Sequence, residues 1–150
     1  MNSNKFHQST VIRFPSVMGV NHDGGIINDL KKWIEFNEEV ELYDNGLKLR
    51  NILHVNDAVY VILKAIELID NLRPYEIIEV GSRQSETLVD ITKLLMKLMD
   101  KKIKINLNDR QTEATDVLVD NATATQKLKY IPKTIEEGLI QYLRDCNYGL

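Results

Sequence analysis

Leu47-Lys-Leu-Arg-Asn-Ile-Leu-His-Val55, Asn56-Asp-Ala-Val-Tyr-Val-Ile-Leu-Lys-Ala-Ile-Glu-Leu-Ile-Asp70 and Tyr75-Glu-Ile-Ile-Glu-Val80 follow one another through the middle of the chain. The first stretch reads as a short strand. In the second, apolar residues recur at helical spacing, which assigns Ala58, Ile62, Ala65, Ile66 and Ile69 to a core face behind an Asn56 N-cap. The third reads as a near-continuous apolar strand ended by Gly81. Strand, helix and strand in that order set the class as α/β.

Working outward, Val11 to Val17 reads as a buried strand interrupted by Pro15, which marks an edge or a bulge. A loop, Val20 to Gly25, delivers a helix from Ile26 to about Asn37, with Ile26, Ile27, Leu30, Trp33 and Ile34 on one face. Val40 to Tyr43 and Leu47 to Val55 flank Asp44-Asn45-Gly46, whose Asn-Gly pair suits a tight hairpin. Downstream, Thr87 and Asp90 have capping-box spacing ahead of a helix Leu88 to Met99, and Ile103 to Leu107 is a further strand. Val117 to Val119 reads as a short extended piece, and Asp120 or Asn121 caps a short helix to Leu128. Thr134 and Glu137 form a second capping box, opening a last helix with Ile135, Leu139 and Leu143 inside.

The chain has 150 residues, 43% hydrophobic, with 19 basic and 22 acidic side chains and a formal charge of −3. That composition suits one soluble globular unit. Residues 1–75 carry 8 basic and 10 acidic groups and residues 76–150 carry 11 and 12, so no net basic face points to nucleic acid. The longest apolar run, Ala58 to Leu63, is too short to span a bilayer. The first residues lack the apolar stretch of a signal peptide, and Cys146 is the sole cysteine; together these predict a soluble protein of the reducing cytoplasm.

Self-contained chemistry is sparse. Gly24-Gly25 precedes a helix, but the chain has no G-x-G-x-x-G or G-x-x-x-x-G-K-[ST]. His7, His22 and His54 lack metal-ligand spacing. Tyr60 and Lys64 reproduce a Tyr-x-x-x-Lys spacing, yet with Glu67 they fall opposite the predicted apolar stripe and should face solvent. Glu38-Glu39 and Glu136-Glu137 read as solvated or capping acids, and Lys101, Lys102 and Lys104 as cations complementing a helix C-terminus.

Laid in order, several segments resemble those of NAD-dependent nucleotide-sugar epimerases and dehydratases, the extended short-chain dehydrogenase/reductase family. Val11-Ile-Arg-Phe-Pro-Ser-Val-Met-Gly19 resembles (I/L)-R-x-x-N-V-Y-G. Leu42-Tyr-Asp-Asn-Gly46 with Arg50-Asn-Ile-Leu-His-Val-Asn-Asp-Ala58 is similar to I-Y-G-D-G…R-D-F-(V/I)-H-V-x-D-(V/A), and Ile78-Glu-Val-Gly-Ser82 to Y-N-V-G-S. Arg110-Gln-Thr-Glu113 resembles R-P-G-D, Asp120-Asn-Ala-Thr-Ala124 resembles A-D-x-S-K-A, and Leu128 to Leu139 resembles L-G-W-x-P-x-x-(S/T)-L-E-E-G-L.

The resemblance implies the C-terminal substrate-binding part of an extended Rossmann-type enzyme over residues 11–150: the last strands of the parallel sheet and a small lobe of hairpin and helices. Residues 1–10 are then leader or disordered chain, and the half bearing the Gly-rich motif and the catalytic Tyr-x-x-x-Lys, which in the family precede the first strand, is absent. In the family mechanism a tyrosine removes a proton while NAD takes a hydride, isomerase or lyase chemistry of the kind used in cell-surface polysaccharide biosynthesis. The cofactor, NAD or NADP, would be bound mainly by the absent half, with Phe14 and Pro15 passing the nicotinamide.

Carried over residue by residue, Arg50 and Arg110 match arginines that grip the nucleotide diphosphate, and forked guanidinium donors suit phosphate oxygens. The hairpin alone accounts for Leu42 and Tyr43 as core, whereas the resemblance sets them beside the nucleobase. Glu113 matches an acid that pairs with the ribose or a basic neighbour. Ser16 and Glu79 stand where the family has asparagines that help hold the sugar nucleotide, and a carboxylate there requires a neutralising partner such as Arg50. Tyr130, Pro132, Thr134 and Gly138 read as packing and capping. The expected partner is a nucleotide-diphosphate sugar, with a separate NAD-binding half or self-association covering the exposed sheet edge. A non-catalytic sugar-nucleotide binding module and a remnant without function are the competing readings.

Overall fold

The extended run at the start of the chain divides at Phe14-Pro15 into β1 (Thr10–Arg13) and β2 (Ser16–Met18), as expected where a proline has no N–H to give to a ladder. The structure, a computed structural model, describes Ser9 to Gly149; residues 1–8 of the expected leader lie outside the described residues. After β2 come α1 (Ile26–Phe36), β3 (Glu39–Leu42), β4 (Leu49–Arg50), β5 (Ile52–His54) and α2 (Val55–Glu67). Then follow β6 (Glu76–Glu79), β7 (Glu86–Thr87), α3 (Leu88–Leu98), β8 (Lys104–Leu107), α4 (Ala122–Leu128) and α5 (Ile135–Asp145). The α/β class holds.

The strands pair two by two. β1 runs parallel to β6, β2 to β5 and β3 to β8, whereas β4 and β7 are antiparallel. The β2–β5 pair is the partition between two cores, because successive side chains of a strand point to opposite faces. On one side Met18 and Ile52 join Leu30, Ile34, Leu42, Ile91, Leu95, Leu139 and Leu143. On the other, Leu53 joins Ala58, Val61, Ile78, Ala124, Leu128 and Tyr130, with Val17 packed against them.

Three sequence expectations are corrected. The hairpin about Asp44-Asn45-Gly46 does not form: β3 pairs with β8, placing Val40 opposite Ile105 and Leu42 opposite Leu107. The Asn-Gly pair does supply positive φ, but Asp44 is left-handed too, and the N–H groups of Asp44 and Asn45 donate to the carbonyls of Arg110 and Asn108. The turn therefore prolongs the β3–β8 association instead of folding β3 back. Leu47 to Val55 is two short strands, since β4 turns to β7 while β5 turns to β2. Finally, α2 is capped by His54, whose side chain accepts from the Asn56 N–H; its inward residues are Asp57, Ala58, Val61 and Ala65, with Ile62 and Ile66 outward.

Other boundaries held. Thr134 and Glu137 make the reciprocal capping box at α5, and Thr87 accepts from the Asp90 N–H at α3. Tyr130 is buried and its hydroxyl donates to the Gly81 carbonyl at 3.0 Å. Among the described residues no helix is long and apolar enough to cross a membrane.

Candidate functional site

β3 and β8 are parallel and end side by side, so the loops leaving Leu42 and Leu107 meet at their carboxyl ends, where open α/β sheets place ligands. Tyr43 follows β3 and stands half exposed. The Arg110 guanidinium lies over its ring, 5.8 Å from the centroid, within cation–π range. Tyr43, Arg110, Gln111, Thr112 and Glu113 line an open hollow of about 390 Å³. It adjoins a groove of about 180 Å³ walled by Ile26, Trp33, Leu42, Tyr43, Arg50 and Thr112, among others.

Arg50 ends β4 and lies in that groove, held by Nη1, which donates to the carbonyls of Leu49 at 3.0 Å and Thr115 at 2.9 Å. Ile26 opens α1, whose N-cap, Gly25, offers no side-chain cap, so the uncapped first turn borders the groove as well. The structure thus brings Leu42, Tyr43, Arg50, Arg110 and Glu113 to one place, with Leu42 buried beneath the others. Ser16 lies beyond Ile26, in a smaller cavity with Gly24, Gly25 and Asn28.

Glu79 is engaged elsewhere. It sits opposite Arg13 in the β1–β6 register, 3.9 Å from its Nη1, and accepts from the Asp120 N–H at 3.3 Å. Its neutralising partner is therefore Arg13 and not Arg50. Phe14 is partly buried against the α2 core, and Pro15 makes the strand break. Outward on α2, Tyr60 is half exposed and Lys64 Nζ pairs with Glu67 at 2.6 Å, the solvent-facing placement expected of them.

Sequence reasoning missed two structural supports. Buried Asn51 accepts from the Ser82 N–H at 2.8 Å and hydroxyl at 3.0 Å, and it donates to the Ser82 carbonyl, fixing the loop after β6 next to the Arg50 strand. Asp44 accepts from both the N–H and the hydroxyl of Thr112, and that hydroxyl holds its carboxyl below the usual carboxylate range. Neither pairing could be seen locally, because the partners stand 31 and 68 residues away.

The family model described as NAD dependent epimerase/dehydratase family matches residues 3–81. The chain belongs to that family. It is 31% identical over 121 residues to an uncharacterized protein of Methanocaldococcus jannaschii, covering 79% of this chain and 35% of the relative. A UDP-glucose 4-epimerase of Thermotoga maritima, solved with UDP-glucose, superposes with a TM-score of 0.78 at 25% identity over 92% of this chain and 45% of that one. A UDP-glucuronic acid 4-epimerase of Bacillus cereus, solved with UDP-glucuronic acid and NAD, gives 0.78 at 20% identity and the same coverage. The chain thus spans under half the length of these relatives.

The hollow and groove together carry Arg50, Arg110 and Lys48, the rings of Tyr43 and Trp33, and the carboxylates of Glu41, Asp44 and Glu113. Among the described residues no group of His, Cys, Asp and Glu is placed to hold a metal ion. Nor do these residues fit a dinucleotide by themselves: the expected contacts, Phe14 and Pro15, are a strand break with its phenyl ring partly turned into the core.

Proposed function

We propose that residues 11–150 are the nucleotide-sugar-binding portion of an NAD-dependent epimerase or dehydratase and give no turnover alone. The observation that carries this reading is that Arg110 stacks on Tyr43 at the carboxyl ends of β3 and β8, in a hollow adjoining the groove that Arg50 lines. Arg50 and Arg110 grip the diphosphate, Leu42 and Tyr43 border the base, and Glu113 accepts from the ribose. Ser16 lies on the sugar side, reached past Ile26. Glu79, already neutralised by Arg13, does not oppose the phosphates. Uridine diphosphate sugars are the favoured ligands because the similar solved epimerases hold UDP-glucose and UDP-glucuronic acid. NAD or NADP binds mainly on a partner half, docked against β1 and α2, and the lone Cys146 suits the cytoplasm.

Calorimetry with UDP-glucose tests the binding claim. The unaltered chain should bind, and Arg50→Ala or Arg110→Ala should each weaken binding roughly 10- to 100-fold, the usual consequence of losing charge-assisted hydrogen bonds. No binding by the unaltered chain overturns the reading. Incubation with NAD and UDP-glucose should leave the sugar unchanged; turnover would overturn the claim that this portion is inactive alone.

A further inference from the structure

The Asp44–Thr112 contact is costly in two ways. Asp44 is buried and has a φ of 51°, a region unfavourable for a residue with a side chain. Burying a carboxylate is tolerable only when its oxygens are hydrogen-bonded. Here Oδ1 accepts from the Thr112 N–H at 3.2 Å and Oδ2 from the Thr112 hydroxyl. The hydroxyl oxygen in turn accepts from the Ala114 N–H at 3.2 Å, so the carboxylate holds the backbone of Thr112 directly and that of Ala114 through the hydroxyl. The backbone N–H of Asp44 donates to the Arg110 carbonyl at 3.1 Å, closing the ring of contacts between the loops.

Thr112 lies between Arg110 and Glu113, two of the groups assigned to the ligand. Each residue depends on the other: Asp44 without the hydroxyl is an under-bonded buried carboxylate, and Thr112 without Asp44 leaves its N–H and hydroxyl without that partner. Together they satisfy each other.

We propose that Asp44 and Thr112 form a clasp that positions the 110–113 loop against Tyr43 and so sets the affinity of the groove for a nucleoside diphosphate. They are positioning residues, acting through Arg110 and Glu113. The proposal rests on the nucleotide-binding reading given above. Because the hydroxyl keeps the Asp44 carboxyl ionised below the usual range, the clasp persists through neutral and mildly acidic solution.

The test uses the full chain with UDP as probe, and Thr112→Val, which removes the hydroxyl but keeps the shape, beside Thr112→Ser, which restores it. Thr112→Val should bind UDP roughly tenfold more weakly, as expected for a lost charge-assisted hydrogen bond. Its amides at 112 and 114 should exchange faster without ligand, and its thermal midpoint should fall because the Asp44 carboxylate loses a hydrogen bond. Thr112→Ser should recover both affinity and protection. Wild-type affinity and exchange in Thr112→Val overturn the clasp. If the unaltered chain fails to bind UDP, the nucleotide reading falls, and the ligand-free exchange rates still decide whether the clasp orders the loop.

Discussion

His54 ends β5 and caps α2, and its buried ring is hydrogen-bonded at Nδ1 but not at Nε2. Nδ1 accepts from the Asn56 N–H at 3.2 Å, so the neutral ring carries its proton on Nε2, which faces an Asp145 carboxylate oxygen at 3.4 Å. Burial lowers its pKa from 6.5; Asp145 and Asp57 pull upward, Lys133 pushes down, and burial prevails. The unfolded chain therefore takes up this proton first. The stabilisation from neutral His54 is fully present above pH 6.5 and is lost as pH falls through the lower folded-state value. The loss cannot exceed about 1.4 kcal/mol per pH unit for one group. Glu35, Asp44, Glu76 and Glu137 are all held below their usual range, so their contributions fail only in more acidic solution. Urea unfolding between about pH 7.5 and about pH 5.5 should show the decline. His54→Asn, which keeps a capping side chain, should flatten it; an unchanged slope would count against His54 as the source. The cap itself was misplaced by the sequence reading, since Asn56 is the preferred residue type and only the geometry shows its N–H taken by His54. Arg50 and Arg110 are candidates by motif position and line the groove and the adjoining hollow, whereas the Asp44–Thr112 contact is invisible in the sequence, because a side-chain contact across 68 residues leaves no local trace.

At the scale of elements, the capping signal at Thr134, complete within one turn of chain, agrees with the structure, and the hairpin signal, which depends on strand partners, does not. The Thr134 box is local: its hydroxyl accepts from the Glu137 N–H at 3.1 Å, and the Glu137 carboxylate accepts from the Thr134 N–H at 2.7 Å. Thr134→Ala should cost about 1 kcal/mol, read as a lower urea midpoint with unchanged m, and Thr134→Ser should recover most of it. A midpoint unaltered by the alanine would show that α5 is held by packing alone. β3 shows the opposite case. Its alternating pattern announced a strand, but the choice between β4 and β8 was made by the Asn108 and Arg110 carbonyls, far along the sequence. α2 shows a third: Val59, Tyr60, Ile62, Leu63 and Ile66 are exposed although apolar, while Ala58, Val61 and Ala65 pack inward. A helix that is apolar nearly all round has no face that periodicity alone can select.

That outer face of α2 bears on the whole molecule. Parallel strands are ordinarily covered on both faces. In the β1–β6 pair, Ile12 and Ile78 point into the α2–α4 core, but Val11 and Ile77, opposite each other in register, are about half exposed. Among the described residues β1 and β6 pair only with each other, which leaves outer edges without a ladder. Arg13, Glu76 and Glu79 put charges on this pair, but the half-exposed Val11 and Ile77 beside an apolar helix face still make a surface for association, and neither strand carries a proline. The cofactor-binding half proposed above would cover it; the chain on its own should instead associate with itself. Light scattering over a concentration series should show mass rising with concentration. Val11→Lys combined with Leu63→Glu should hold the chain monomeric, because a lysine on an edge strand opposes further pairing and a carboxylate on α2 opposes apolar contact. Both positions are exposed, so stability should shift by no more than about 0.5 kcal/mol each. A chain that stays monomeric before these substitutions would show that the β1 edge and the α2 face attract no second copy.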